Sequence, residues 1–274
     1  MAPRFESRLL RSASTAVVLA AALLFVTSGT ASVQAPAPTA SPEQAPPVVS
    51  LTSGTPQELE KQGDLFRSQK RYLDSIDYYD AALAKQPTPL LWNKKGMCQL
   101  FLQHQKEAKK SFEESLKLDK NSAEGLNNLG YIAQLETRYN RAIKYYEKAL
   151  AIRPNSATFH YNMGAAYFAK HDFAKATVEY RAAYDLDPEI FQRVSRMGIM
   201  VQSSSPEDRA AFAYMVAKMY AQAGDNDHSL AYLRKAMEQG YKNINNVYKD
   251  NEFATLRTDP RFAELMAQKP QAIQ

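Results

Sequence analysis

Residues 126–154 read LNNLGYIAQLETRYNRAIKYYEKALAIRP. Gly130 and Ala133 lie in a first apolar segment, Ala142, Tyr146 and Ala149 lie in a second, and Pro154 follows. Apolar and small residues at this spacing predict two helices, and a small residue on each lets the pair approach closely. The Pro stops the second helix. The same pattern recurs along the chain. Gly63, Gly96, Gly130 and Gly164 stand 33, 34 and 34 residues apart, inside ELEKQGDLF, LWNKKGMCQ, LNNLGYIAQ and YNMGAAYFA. A fixed period of this size predicts an all-α array of helix-turn-helix units, each burying its apolar face against the next.

With each Gly counted as position eight, position four holds Leu59, Trp92, Leu126 and His160, and position eleven holds Phe66, Gln99, Ala133 and Tyr167. Position twenty is small (Ser75, Ala108, Ala142, Ala176), position twenty-four is a large aromatic (Tyr79, Phe112, Tyr146, Tyr180) and position twenty-seven is small again (Ala82, Ser115, Ala149, Ala183). Large and small residues thus alternate as close packing requires, and these positions are the predicted core. Pro87, Pro154 and Pro188 close three of the four units. A diverged fifth unit is expected at residues 210–243, with Ala217 in place of Gly, Tyr220, Ser229, Leu233 and Ala236 in register. Residues 191–209 interrupt the array with a partly helical start, and their Ser205-Pro206-Glu207 reads as a capped helix start. Residues 244–274, with a helix opening at Asp259-Pro260, are expected to cap the last unit.

Composition agrees. Of 274 residues, 45% are apolar and 23% charged, the mixture of a water-soluble body. Only ten are Gly, and seven of the fourteen Pro fall at or before Pro56, so the remainder is poor in helix breakers. Thirty-four Lys and Arg face twenty-nine Asp and Glu, with the two signs alternating along the chain, which argues against a nucleic-acid partner despite a pI of 9.0.

The amino-terminal part differs. Arg4, Arg8 and Arg11 precede an uncharged apolar run at 13–26 and small residues at Ser28, Gly29, Thr30 and Ala31. This order is that of a secretory signal peptide spanning residues 1–31. Fourteen helical residues span about 21 Å, short of the roughly 30 Å hydrocarbon core, so cleavage is expected in preference to an uncleaved anchor. The expected location is therefore periplasmic or secreted, with membrane contact at most through this segment. Residues 32–55 are rich in Ala, Pro, Ser and Thr and predict a disordered linker.

The large residue, Leu, Gly and Tyr followed by Ala, Phe, Ala and Pro resemble the tetratricopeptide repeat over residues 56–190, and with the diverged unit to 243. Gln62, Lys95, Gln99 and Lys120 depart from the pattern, the second repeat most. The resemblance implies an α-solenoid superhelix whose first helices line a concave groove, with a partner peptide or protein bound there. The groove positions it implies put Asn93, Lys94, Asn127, Asn128, Tyr131, Tyr161, Asn162 and Phe168 in contact with the ligand, the amides pairing with an extended backbone and the aromatics adding apolar contact. Some members grip an acidic carboxyl terminus with Lys, Arg and Asn. Here one register offers Glu60 and Asp64 before Lys94, and the next offers Asn93 and Met97, then Asn128, then Thr158 and Asn162, so that ligand is not expected.

No HExxH, Gly-rich phosphate loop, GxSxG or Cys pair is present, the four His are scattered, and the single Cys98 lies within a repeat helix. No cofactor, metal or catalytic activity is expected. The reading is an exported scaffold or adaptor for protein-protein interaction. Two others stand beside it: a subunit of an envelope secretion, pilus or outer-membrane assembly machine, and an enzyme with its site in the insertion or the cap.

Overall fold

The computed structural model describes residues 49–196 and 205–268, which are helical with no strand among the described residues. The expected signal peptide, most of the linker, residues 197–204 of the insertion and residues 269–274 of the cap lie outside the described residues. Four repeats follow as α1 (Pro56–Ser68) and α2 (Tyr72–Lys85), α3 (Pro89–Phe101) and α4 (Gln105–Leu118), α5 (Ala123–Leu135) and α6 (Tyr139–Ile152), and α7 (Ala157–Ala169) and α8 (Phe173–Leu186). A short α9 (Ile190–Arg196) precedes α10 (Pro206–Gln222) and α11 (Asn226–Glu238). Three 3-10 turns between Ile244 and Thr258 and then α12 (Pro260–Gln268) end the array.

Each first helix starts on a hydroxyl. Thr55, Thr88, Ser122, Ser156 and Ser205 are the N-caps of α1, α3, α5, α7 and α10, each accepting from the backbone N–H three residues on, and Pro fills the first position of α1, α3 and α10. The expected start at Ser205-Pro206 is therefore present, and it makes α10 17 residues long where the other first helices have 13.

The turn inside each repeat is a different device. Lys70, Gln103, Thr137 and His171 adopt φ of 60, 62, 58 and 59° at equivalent positions, and Gly224 has 77° in the fifth. The residue after each donates back to the first helix: Arg71 to Phe66 O at 2.9 Å, Arg138 to Ala133 O at 2.8 Å, Asp225 to Tyr220 O at 2.9 Å. These bonds satisfy carbonyls that the helix end would orphan, which offsets the roughly 1 kcal/mol that a side chain loses in this region.

The core follows the period. Tyr79, Phe112, Tyr146 and Tyr180 are at most 1% exposed. Each lies on the Gly of its own repeat: a Cβ at Gly63, Gly96, Gly130 or Gly164 would meet the ring at 2.6, 2.4, 2.5 and 2.9 Å. The fifth repeat keeps the packing with both partners changed, Ala217 with Leu233, both 0% exposed in one cluster. Its Ser229 donates to Ala217 O at 2.8 Å just as Ser75 donates to Gly63 O at 2.7 Å.

Both ends of the array are covered. Residues 49–54, expected as disordered linker, form a turn instead: Tyr78 donates to Val49 O at 2.6 Å and Lys85 to Thr52 O at 2.9 Å, and Val49 packs on the first repeat's core. At the other end Val247, Phe253, Leu256, Phe262, Leu265 and Met266 bury against α10 and α11. Between the fourth and fifth repeats α9 inserts Phe191 among Tyr161, Tyr180, Phe212 and Tyr220, with ring centroids 5.7 to 6.3 Å apart.

Candidate functional site

The first helices of successive repeats lie side by side, as the contacts of their facing residues show. Lys94 on α3 reaches two carboxylates of α1, with Nζ 2.6 Å from Glu60 Oε1 and 2.6 Å from Asp64 Oδ2. Asp64 also accepts from Tyr79 Oη at 2.7 Å and lies 3.5 Å from Arg67. Burial alone would lift the Asp64 carboxyl, but the hydrogen bonds from Lys94 and Tyr79 and the nearby cations outweigh it and hold it below the ordinary range. The Tyr79 phenol moves up, through burial first and then its bond to Asp64.

On α5 and α7 the polar groups are amides. Asn162 Nδ2 donates to Asn127 Oδ1 at 2.9 Å, and Asn127 Nδ2 donates to Asn128 Oδ1 at 3.3 Å. The three side chains form a directed run across two repeats. It ends in an N–H pair on Asn128 and an oxygen on Asn162 that have no protein partner among the described residues. Tyr131, one turn on from Asn127 and Asn128, is half-buried, and burial raises its phenol.

Other expected groove residues are packed away. Asn93 is 7% exposed because its Nδ2 donates inward to Ser115 Oγ at 3.0 Å and Ser122 Oγ at 3.2 Å. Tyr161 is 3% exposed against Tyr180 and Phe191, and Phe168 is 8% exposed against Phe173 and Phe212. Asn127 is 6% exposed and acts within the amide run. Of the eight side chains expected in the groove, Asn93, Asn127, Tyr161 and Phe168 are thus buried, Asn128, Tyr131 and Asn162 stay half-exposed, and Lys94 is held in ion pairs. Tyr161 and Phe168 are buried because the large aromatics at the α7–α10 junction need neighbours on every side, and these two rings supply them.

The sequence pattern did not mark Glu60 and Asp64 as partners of Lys94, nor three partly exposed apolar side chains at positions two and thirteen: Leu90, Leu135 and Phe101, whose ring stacks on Tyr72. The resemblance carried the signal for all three, since its groove set includes positions two and thirteen. Charge is sparse on these central helices. α7 carries no Lys, Arg, Asp or Glu, and on α5 only Glu124 is charged, 2.6 Å from Arg153.

Among the described residues no group of His, Cys, Asp and Glu is placed to hold a metal, and no helix is long and apolar enough to cross a membrane. Cys98 is buried beside Ser75, and burial pushes its thiol up, away from the reactive thiolate.

Such an array of paired helices with a covered end is an α-helical repeat protein. Family profiles match parts of this array: one described as TPR repeat matches residues 138–170, and two described as Tetratricopeptide repeat match 157–190 and 90–122. Residues 90–122 and 138–190 thus match tetratricopeptide repeats. The human protein O-mannosyl-transferase TMTC3 is 33% identical over 79 residues, 29% of this chain and 9% of that protein. The Hsp70-Hsp90 organizing protein 2 of Arabidopsis thaliana is 29% identical over 101 residues, 36% of this chain and 18% of that protein. The chain thus spans less than a fifth of the length of either curated relative. A crystal structure of a thermophilic TPR protein of Thermus thermophilus is similar in fold, with TM-score 0.49, 20% identity, 78% of this chain and 100% of that one covered.

Proposed function

We propose that this protein is an exported, non-catalytic adaptor that holds an extended segment of a partner protein across the first-helix face of its repeats. The observation that carries the reading is the amide run: Asn128 offers an N–H donor and Asn162 an oxygen acceptor, the two functions a peptide backbone complements without regard to side chains. Tyr131 and the exposed Leu135 supply apolar surface beside them. The name of the Arabidopsis relative, an organizer of two other proteins, supports a role in gathering proteins. Export rests on the basic, apolar and small-residue order of residues 1–31.

The test begins with crosslinking in native cells to identify a partner. Replacing Asn128 and Asn162 together by Ala should then weaken that partner's binding by about 1 to 3 kcal/mol, a factor of about 5 to 150. Helix content should hold, because Ala is the better helix former. Unchanged affinity would move the contact elsewhere, to the second helices or the cap.

A further inference from the structure

Resting on that reading, we infer that the face selects an uncharged segment, and that Glu60 and Asp64 set this selectivity by neutralising Lys94, whose ammonium would otherwise attract a carboxylate. Lys94 points onto the first-helix face and, among the described residues, is the cation there that neighbours the amide run from the preceding repeat. Its ammonium is closed on both sides at 2.6 Å, and its side chain is 18% exposed. With Arg67 on Asp64, the cluster holds two acids and two bases and sums to zero. The same arrangement recurs at the far end, where Lys218 on α10 lies 3.1 Å from Asp250 and 3.0 Å from Glu252 of the cap. Lys61, exposed on α1, is left to solvent.

Between these clusters α5 and α7 carry amides, aromatics and aliphatics, and the charge of Glu124 is spent on Arg153. A carboxylate laid on α5 and α7 would lose its hydration and find no free cation on them, whereas a neutral backbone finds the donor of Asn128 and the acceptor of Asn162. Leu90, Phe101 and Leu135, 56, 39 and 38% exposed, give apolar side chains of such a segment somewhere to rest. The occupant is a neutral, extended, partly apolar stretch of a partner protein.

Two matched sets of synthetic dodecapeptides with free carboxyl termini test this on the full chain. One set is built from Ala, Val, Leu, Pro, Ser, Thr, Gln and Asn only; the other repeats it with three acidic residues at the end. The parent protein should retain neutral peptides and bind their acidic counterparts about tenfold less. In the double variant Glu60→Gln, Asp64→Asn, which keeps shape and the acceptor for Tyr79, acidic peptides should gain about tenfold while neutral ones stay unchanged. If the parent prefers the acidic set, or the double variant gains nothing for it, the charge inference is wrong while the groove stands. If neither set binds the parent better than it binds the Asn128→Ala, Asn162→Ala variant, the groove reading falls, and this inference with it.

Discussion

The close approach of Gly130 to Tyr146 makes a prediction whose sign depends on a second residue. A methyl at position 130 would lie 2.5, 2.8 and 3.0 Å from three carbons of a ring that is 0% exposed. The ring cannot swing into water, so the helices must part or the ring tilt, an overpacking cost of about 2 to 3 kcal/mol. Ala also gains about 1 kcal/mol over Gly within a helix. The net loss for Gly130→Ala is then about 1 to 2 kcal/mol. Tyr146→Leu alone should cost about 2 to 4 kcal/mol, through the cavity and the loss of the bond from Tyr146 Oη to Gln134, 3.1 Å long. With the ring gone, however, Gly130→Ala should turn stabilising by up to about 1 kcal/mol. The coupling between the two sites is therefore about 2 to 3 kcal/mol, far above what independent sites show. The fifth repeat already carries that combination in Ala217 and Leu233. Urea unfolding followed by circular dichroism, with unchanged slope, measures all four corners of the cycle. Gly130→Ala costing the same with Tyr or Leu at 146 would refute the packing argument.

Three further outcomes are expected. Thr137, a β-branched residue at φ 58°, should give about 0.5 to 1 kcal/mol of added stability when changed to Gly, whereas Gly224→Ala at φ 77° should lose about 1 kcal/mol although nothing lies within 4 Å of the added methyl; thermal melts of the two variants should move in opposite directions. Asp259 is held down to about 2 from an ordinary 3.8, chiefly by its side-chain bond to Arg261. A depressed carboxyl stabilises when ionised, so its contribution to the cap is full above pH 3.8 and is lost as pH falls through about 2. Amide exchange in α12 should rise across that window ahead of α5 and α6, and Asp259→Asn should remove the pH dependence. Mass spectrometry of protein taken from its native cells should find a mature chain beginning near Ser32, and a full-length cytoplasmic species would end the export proposal.

Much of the fold was legible because a repeat states its core several times over. Gly63, Gly96, Gly130 and Gly164, with a large ring sixteen residues after each, specify the paired helices, and the Ser and Thr caps mark where the first helices begin. The turns were less legible: Lys70, Gln103, Thr137 and His171 stand where Gly would announce a positive φ, and only Gly224 does so. Backbone hydrogen bonds hold those turns, and such bonds leave no residue signature.

What the sequence determined by itself is the period, the helical class, the core and the absence of recognised catalytic motifs, because each depends on spacing along one chain. The tertiary structure decided which of the first-helix polar side chains stay exposed and unpaired. Asn93 and Asn128 are both groove amides by register, yet Asn93 turns to Ser115 and Ser122 while Asn128 ends a run with its donor free. Lys94 is a free cation in the sequence and an ion pair in the fold, because Glu60 and Asp64 reach it across 34 and 30 residues. Exposure and charge pairing are set by neighbours from adjacent repeats, and that adjacency exists only once the helices have stacked.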